Sequence, residues 1–240
     1  MKSEIKAAGN YICNLLFPRR CPVCDDIVDE PGGLICNKCI DELRKVNDPF
    51  CLKCGKPLRN TNNEFCHDCI ERQHKFIYGR ALFVYDEVLK ESIYRFKYGK
   101  RQEYGDFYGE RMATDFADMI KAVKPDGIIP IPLHKNRFKQ RGYNQAEILA
   151  RKIGDRFSIR VCTNYLIRVQ DTKVQKDLDS TLRQNNLKKA FKIASDVVKL
   201  NTVIIVDDIY TTGSTIDAAA ECLMDAGVEN IYFIVLAIGE

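Results

Sequence analysis

The chain contains no stretch of roughly 18 consecutive apolar residues, so no membrane-spanning helix is predicted. It lacks Gly-x-x-x-x-Gly-Lys-Ser/Thr, which excludes the ordinary nucleotide P-loop. Gly-x-Gly-x-x-Gly is also missing, and with it the main support for dinucleotide binding. Histidine is scarce, at three in 240 residues. Only His134 lies near a candidate site, where it reads as a loop residue, so no obvious acid–base group or nucleobase-reading residue stands out. The N-terminal stretch has a short apolar patch at 11–17, yet it carries Glu4 and Asn14 and no small-residue cleavage site. It is therefore not read as a signal peptide, and a cytoplasmic protein is expected.

What is present begins with eleven cysteines, and eight of them form four Cys-x-x-Cys pairs. These are Cys21/Cys24, Cys36/Cys39, Cys51/Cys54 and Cys66/Cys69, separated by 11 residues each time and so repeating with a period of 15. In a reducing compartment such pairs bind metal, and two of them complete a tetrahedral zinc site. Four pairs give two structural zinc ions with no ligand left over. Pairing first with second and third with fourth closes the shorter loops and is preferred over a cross-braced arrangement. A redox role is disfavoured, because no strand and helix frame the pairs as in a thioredoxin-like site. His67, inside the fourth pair, is an alternative ligand that a full set of cysteines makes unnecessary. Cys13, Cys162 and Cys222 stand alone in apolar surroundings and read as small buried hydrophobes. With few large apolar side chains, the segment at 20–71 is expected to need its metal to fold.

Length allows one large domain or two smaller ones. The sequence divides into an N-terminal helix at 1–17 ending before Pro18 (a unit taken as 1–19), the zinc module at 20–71 and a larger domain at 76–240. In the last, strands are predicted at 80–85, 127–133, 161–169, 203–206 and 231–238. Helices are predicted at 86–96, 104–123, 146–153 and 216–226, with Gly227 as a C-terminal stop. Alternating strands and helices predict an α/β fold with a doubly wound parallel sheet, whose ligand site lies at the carboxyl ends of its strands. The Asp207 turn and a basic loop at 134–145 fall there, and a polar stretch at 170–186 reads as a lid.

Everything else is organised around residues 203–215, VIIVDDIYTTGST. Four β-branched apolar residues predict a strand buried on both faces, with Asp207 and Asp208 where it ends. Thr211, Thr212, Gly213, Ser214 and Thr215 then form a hydroxyl-rich turn leading into a helix. Such a turn and helix N-terminus can hold a phosphate, and the carboxylates can hold a vicinal diol or a magnesium ion. A sugar phosphate satisfies both halves. In the basic loop, Arg137 and Arg141 offer forked donors for further phosphate oxygens, unless the loop is merely solvated surface.

These residues resemble two known patterns. VIIVDDIYTTGST is similar to the signature of type I phosphoribosyltransferases, which bind phosphoribosyl pyrophosphate. IPIPLHKNRFKQRGYNQAEILA resembles a distinctive segment of the ComF competence family, as does the stretch at 166–191 with Thr172, Gln175, Arg183, Asn185, Ala190 and Phe191. The double zinc ribbon fits that family too. The resemblance implies a phosphoribosyltransferase-like domain behind an N-terminal double zinc ribbon. It also implies that Asp207 and Asp208 face the ribose hydroxyls and, directly or through water, magnesium. Thr211 to Thr215 would cradle the 5′-phosphate, Arg137 and Arg141 would stand near the pyrophosphate, and 170–186 would be the hood.

Two functions remain open. One is a natural-transformation protein that handles single-stranded DNA with other competence proteins and keeps the pocket for binding or regulation. The other is an active phosphoribosyltransferase acting on a nucleobase or amine, with Asp207 and Asp208 catalytic. Charge bears on the first: residues 1–187 carry a net +8 and residues 188–240 a net −4. That asymmetry is either ordinary solvated surface or a face for a polyanion. Tyr94, Arg95, Phe96, Lys97 and Tyr98 likewise read either as helix core or as contacts for a single strand.

Overall fold

The computed structural model describes residues 18–30, 32–170, 190–195 and 198–239. The expected helix at 1–17, Cys13 within it, and the expected lid from 171 onward lie outside these residues.

Val203, Ile204, Ile205 and Val206 are fully buried, as their β-branched run requires. They belong to β5 (Thr202–Tyr210), which pairs in parallel with β6 (Asn230–Ile238) and β2 (Gly127–Pro130). With β1 (Gly79–Val84) on the far side of β6, the sheet has the order β1-β6-β5-β2 and is parallel throughout. A separate antiparallel pair is made by β3 (Leu166–Arg168) and β4 (Phe191–Ile193).

Period-two alternation sends the sheet's side chains into two layers. Ile204, Val206, Ile234 and Leu236 pack with α3 (Glu87–Tyr98), α4 (Tyr104–Asp115) and α7 (Gln145–Phe157). Val203, Ile205, Phe233 and Val235 pack with the β3–β4 pair and α8 (Ser214–Asp225).

Each ribbon contributes to one layer. Cys21, Val23, Cys36, Cys39 and Leu43 join the first, whereas Cys51, Cys54 and Cys66 join the second. The chain between them, residues 44–46, runs antiparallel along the free edge of β1. Val46 N–H donates to the Leu82 carbonyl (3.0 Å) and Val84 N–H to that of Arg44 (2.8 Å). The zinc module thus straddles the sheet and covers an edge strand that would otherwise be open to foreign pairing. Short helices α1 (Asn37–Ile40) and α2 (His67–Glu71) follow the first cysteine of the second and fourth pairs.

Several expectations need correction. The single helix at 104–123 is two, because the chain leaves helical geometry at Phe116 (φ −98°, ψ 11°), whose ring is buried in the first layer, before α5 (Ala117–Val123) resumes. The strand expected at 161–169 is interrupted by a turn at Thr163-Asn164. Only Val161 bridges the main sheet, to Ile128, before β3 begins. The basic stretch at 134–145 is mostly not a loop. It forms α6 (Lys135–Arg141), started by the His134 ring accepting from Asn136 N–H and stopped by Gly142 at φ 82°. Finally, β5 does not end at the carboxylates, since its ladder with β6 continues through Ile209 and Tyr210. At the other end of α8, Gly227 (φ 89°) stops the helix as expected. Its N–H reaches the Met224 carbonyl while Val228 N–H reaches that of Leu223, a Schellman closure.

Candidate functional site

The acid pair is split between the two layers. Asp207 has the parity of Ile205 and faces the β3–β4 side, where Arg168 stands; Asp208 has the parity of Val206 and faces α3. Lys97, in the last turn of α3, reaches Asp208 with Nζ 2.9 Å from Oδ2, both side chains largely buried. Asp208 N–H donates to Asp207 Oδ1 (2.8 Å), locking the pair's relative orientation. Burial and the neighbouring Asp208 carboxylate push the Asp207 carboxyl up to about 7, against the opposing charges of Lys97 and Arg168. Lys97 and Arg168 were missed as site residues from sequence. A lysine at a helix C-terminus also satisfies the helix dipole, so its reach to a distant strand left no separate signal.

Beyond Tyr210 the chain turns at Gly213 (φ 78°) directly into α8. A side chain there would meet two obstacles: left-handed backbone geometry, and the Tyr210 hydroxyl, against which a Cβ would collide. Tyr210 is itself fixed, stacked on Phe233 with ring centroids 4.9 Å apart and planes 2° from parallel. Helix α8 has no side-chain cap, so its first N–H groups stay turned towards the turn. The exposed Thr211 and Thr212 and the half-buried Ser214 and Thr215 surround them, with Thr212 and Ser214 hydroxyls 2.8 Å apart. Converging N–H groups, hydroxyls and a helix dipole are the donor set a phosphate takes.

Residues 141–145 bracket the C-terminus of α3 against the sheet. The Tyr143 hydroxyl (2.5 Å) and Gln145 Nε2 (3.2 Å) both donate to the Phe96 carbonyl, one of the acceptors that a helix end leaves open. Arg141 donates to the Tyr98 hydroxyl and to Gln145 Oε1, each at 2.9 Å. Asn144 donates to the Ile131 carbonyl (3.0 Å) while capping α7. Arg141 is thus committed one residue away from the lysine that holds Asp208, and the half-buried Arg137 lies one helical turn before it. The structure brings Asp207, Asp208, the 211–215 turn and Arg141 to one end of the sheet, the carboxyl end.

The eight paired cysteines form two groups, Cys21, Cys24, Cys36, Cys39 and Cys51, Cys54, Cys66, Cys69, with all sulfurs in each within 4.8 Å of one another. This is the consecutive pairing. Tetrahedral zinc with Zn–S bonds near 2.3 Å requires sulfurs about 3.8 Å apart, and Cys24–Cys36 at 4.0 Å and Cys54–Cys66 at 3.7 Å match it. Both groups therefore suit structural zinc. His67 stands outside, exposed beside Glu71. Cys162 and Cys222 are half-buried against the second layer.

Comparison with known proteins agrees with this architecture. Residues 12–70 match the double zinc ribbon domain model and residues 139–239 the phosphoribosyl transferase domain model. The chain thus has a phosphoribosyltransferase-like fold behind an N-terminal double zinc ribbon. Competence protein F of Haemophilus influenzae is 38% identical over 109 residues, 45% of this chain and 48% of that protein. Competence protein ComFC of Bacillus subtilis is 31% identical over 159 residues, 62% and 58% of the two chains. The DNA utilization protein YhgH of Salmonella typhi is 35% identical over 107 residues, 45% and 47%. The expected resemblance to the ComF family holds, and the chain spans about half the length of these relatives. Among the described residues, no helix of this phosphoribosyltransferase-like protein is long and apolar enough to cross a membrane.

Proposed function

We propose that the chain acts in the cytoplasm in natural transformation, binding single-stranded DNA and, in its phosphoribosyltransferase domain, phosphoribosyl pyrophosphate. The observation that carries the pocket is convergence: an acid pair, an uncapped helix N-terminus behind a glycine turn, and a basic helix meet at the carboxyl end of one parallel sheet. Asp207 and Asp208 would take the ribose hydroxyls, Thr211 to Thr215 the 5′-phosphate, and Arg137 and Arg141 the pyrophosphate. The relatives named for competence support the DNA role and a place among other competence proteins. Cysteines gathered into zinc-type groups suit a reducing compartment.

Magnesium fits this acid pair in one way. Asp208 is already paired with Lys97, so Asp207 and Asp208 would hold a hard cation through the waters it retains. When bound it would neutralise charge on the departing pyrophosphate.

A second reading, phosphoribosyl transfer to a nucleobase or amine, is favoured by the position of Asp207. As pyrophosphate leaves, positive charge grows on the ribose ring, and an adjacent carboxylate stabilises it. Two measurements separate the readings. Binding of a single strand that weakens steeply with salt supports the first, and no binding at about 50 mM salt would sink it. Pyrophosphate release across a panel of bases supports the second. Asp207→Ala with Asp208→Ala should end any turnover and leave strand binding intact; residual turnover would remove the acid pair from the site.

A further inference from the structure

Helix α3 resolves an ambiguity in its own sequence. Phe96 turns inward and is fully buried, whereas Tyr94 and Tyr98, one helical turn apart, remain 64% and 45% exposed. Their ring centroids lie 5.2 Å apart, so the two form one aromatic surface. Helix α6 extends it. The Arg141 guanidinium sits 4.8 Å from the Tyr98 ring centre, and Phe138, three residues earlier on the same helical face, is 48% exposed.

Basic side chains gather where α3 ends beside α6, and the nearby acid, Glu103, is paired with Arg101. Lys100, Lys135 and Lys139 are exposed there. The acidic residues of α3, Glu87 and Glu91, lie towards its other end and are paired with Lys90 and Arg95. Flat π faces beside a guanidinium, rimmed by ammonium groups, match the chemistry of unpaired bases on a phosphate backbone. A duplex keeps its base faces covered and cannot use such rings.

We propose that Tyr94, Tyr98 and Phe138, with Arg141 between them, are the stacking platform for a single-stranded nucleic acid whose phosphates meet Lys100, Lys135 and Lys139. The proposal rests on the single-strand reading above and gives it a location, bordering the sugar-phosphate pocket at Arg141 and on the helix that supplies Lys97 to that pocket.

The test is fluorescence anisotropy of labelled oligo-dT, oligo-U and duplex DNA with the full chain across a salt series. Tyr94→Ala with Tyr98→Ala is expected to weaken oligo-dT binding about tenfold or more, with the slope of log K against log salt unchanged. Tyr94→Phe with Tyr98→Phe keeps the rings and should stay within about twofold of the parent. Lys100→Gln, Lys135→Gln and Lys139→Gln together should instead flatten the salt slope, by about 0.7 for each phosphate no longer neutralised. Duplex binding should be weaker and indifferent to the alanine changes, and the oligo-U arm tells whether RNA shares the platform. Because the tyrosines are exposed, the thermal transition of each variant should match the parent and exclude unfolding as the cause. If the parent binds oligo-dT and the alanine variant binds it equally well, the platform is wrong while the single-strand reading stands. If the parent binds no strand, the reading itself fails. A change of oligomeric state without a change in strand affinity would assign the face to a second copy of the chain.

Discussion

At the scale of single residues, the phosphate-type turn depends on Gly213. Left-handed geometry costs a residue with a Cβ about 1–2 kcal/mol, and here the Cβ must also displace Tyr210, which is wedged against Phe233. Gly213→Ala is therefore expected to reduce ribose 5-phosphate affinity by about tenfold or more, with only a modest fall in melting temperature. Calorimetric titration reads the first and a thermal melt the second; unchanged affinity would move the phosphate elsewhere. Asp207 supplies a pH dependence. Its folded-state carboxyl is raised to about 7 by burial and by Asp208, whereas an unfolded aspartate titrates near 3.9. The unfolded chain thus ionises first, and stability is lost as pH rises from about 4 to about 7, then stays level. Asp207→Asn should match the parent's melting temperature near pH 4 and exceed it increasingly up to pH 7. A constant difference across that range would show that Asp207 is not raised. The turn and acid pair were legible in sequence because four buried β-branched residues, two carboxylates and a hydroxyl-rich turn are all local. Lys97 and Arg168 were not, because what makes them site residues is a neighbour on another element.

At the scale of elements, α6 shows why a basic stretch can be misread. Its residues Lys135 to Arg141 include one apolar side chain, Phe138, and that one stays exposed, so no periodicity marks a helix. The His134 cap and the left-handed Gly142 set its ends instead. The segment that follows was visible as a family pattern, but its physical task, bracketing the end of α3, depends on the Phe96 carbonyl far back in the chain. The first ribbon is docked by a similar long-range clasp. Asp25, held at φ 60°, accepts from the Tyr104 hydroxyl (2.5 Å) and from Arg101 (Nη2, 3.0 Å; Nε, 2.9 Å). Burial opposes its ionisation, but the Tyr104 hydrogen bond and the Arg101 charge outweigh that and hold the carboxyl below its ordinary range. Asn tolerates the same backbone geometry, so Asp25→Asn isolates the charge. It should cost about 1–2 kcal/mol at neutral pH, given that the group is partly exposed. Denaturant unfolding with zinc retained measures it, and a loss below about 0.3 kcal/mol would mean that apolar contacts alone dock the ribbon.

At the scale of the whole molecule, the ribbons are built into the core rather than appended to it. Their cysteines belong to both layers of the sheet, and the chain between them covers the β1 edge. The Lys53 carbonyl accepts from Gly79 N–H (2.8 Å), which ties the second ribbon to the first residue of β1. Further on, Phe76 packs edge-on to Tyr210, the residue behind the Gly213 turn. Structural zinc sites contribute roughly 10–16 kcal/mol of apparent binding energy in isolated fingers, as large as the 5–15 kcal/mol that holds a typical domain together. Removing the metal should thus cost more than the ribbons themselves. Elemental analysis is expected to find two zinc ions per chain; one or none would refute the two-site reading. A strong chelator should shift a single cooperative transition well below that of the metal-bound protein and weaken ribose 5-phosphate binding with it. Two separate transitions, the upper one unmoved and still binding ribose 5-phosphate, would make the ribbons independent appendages and disconnect the turn at Gly213 from the metal.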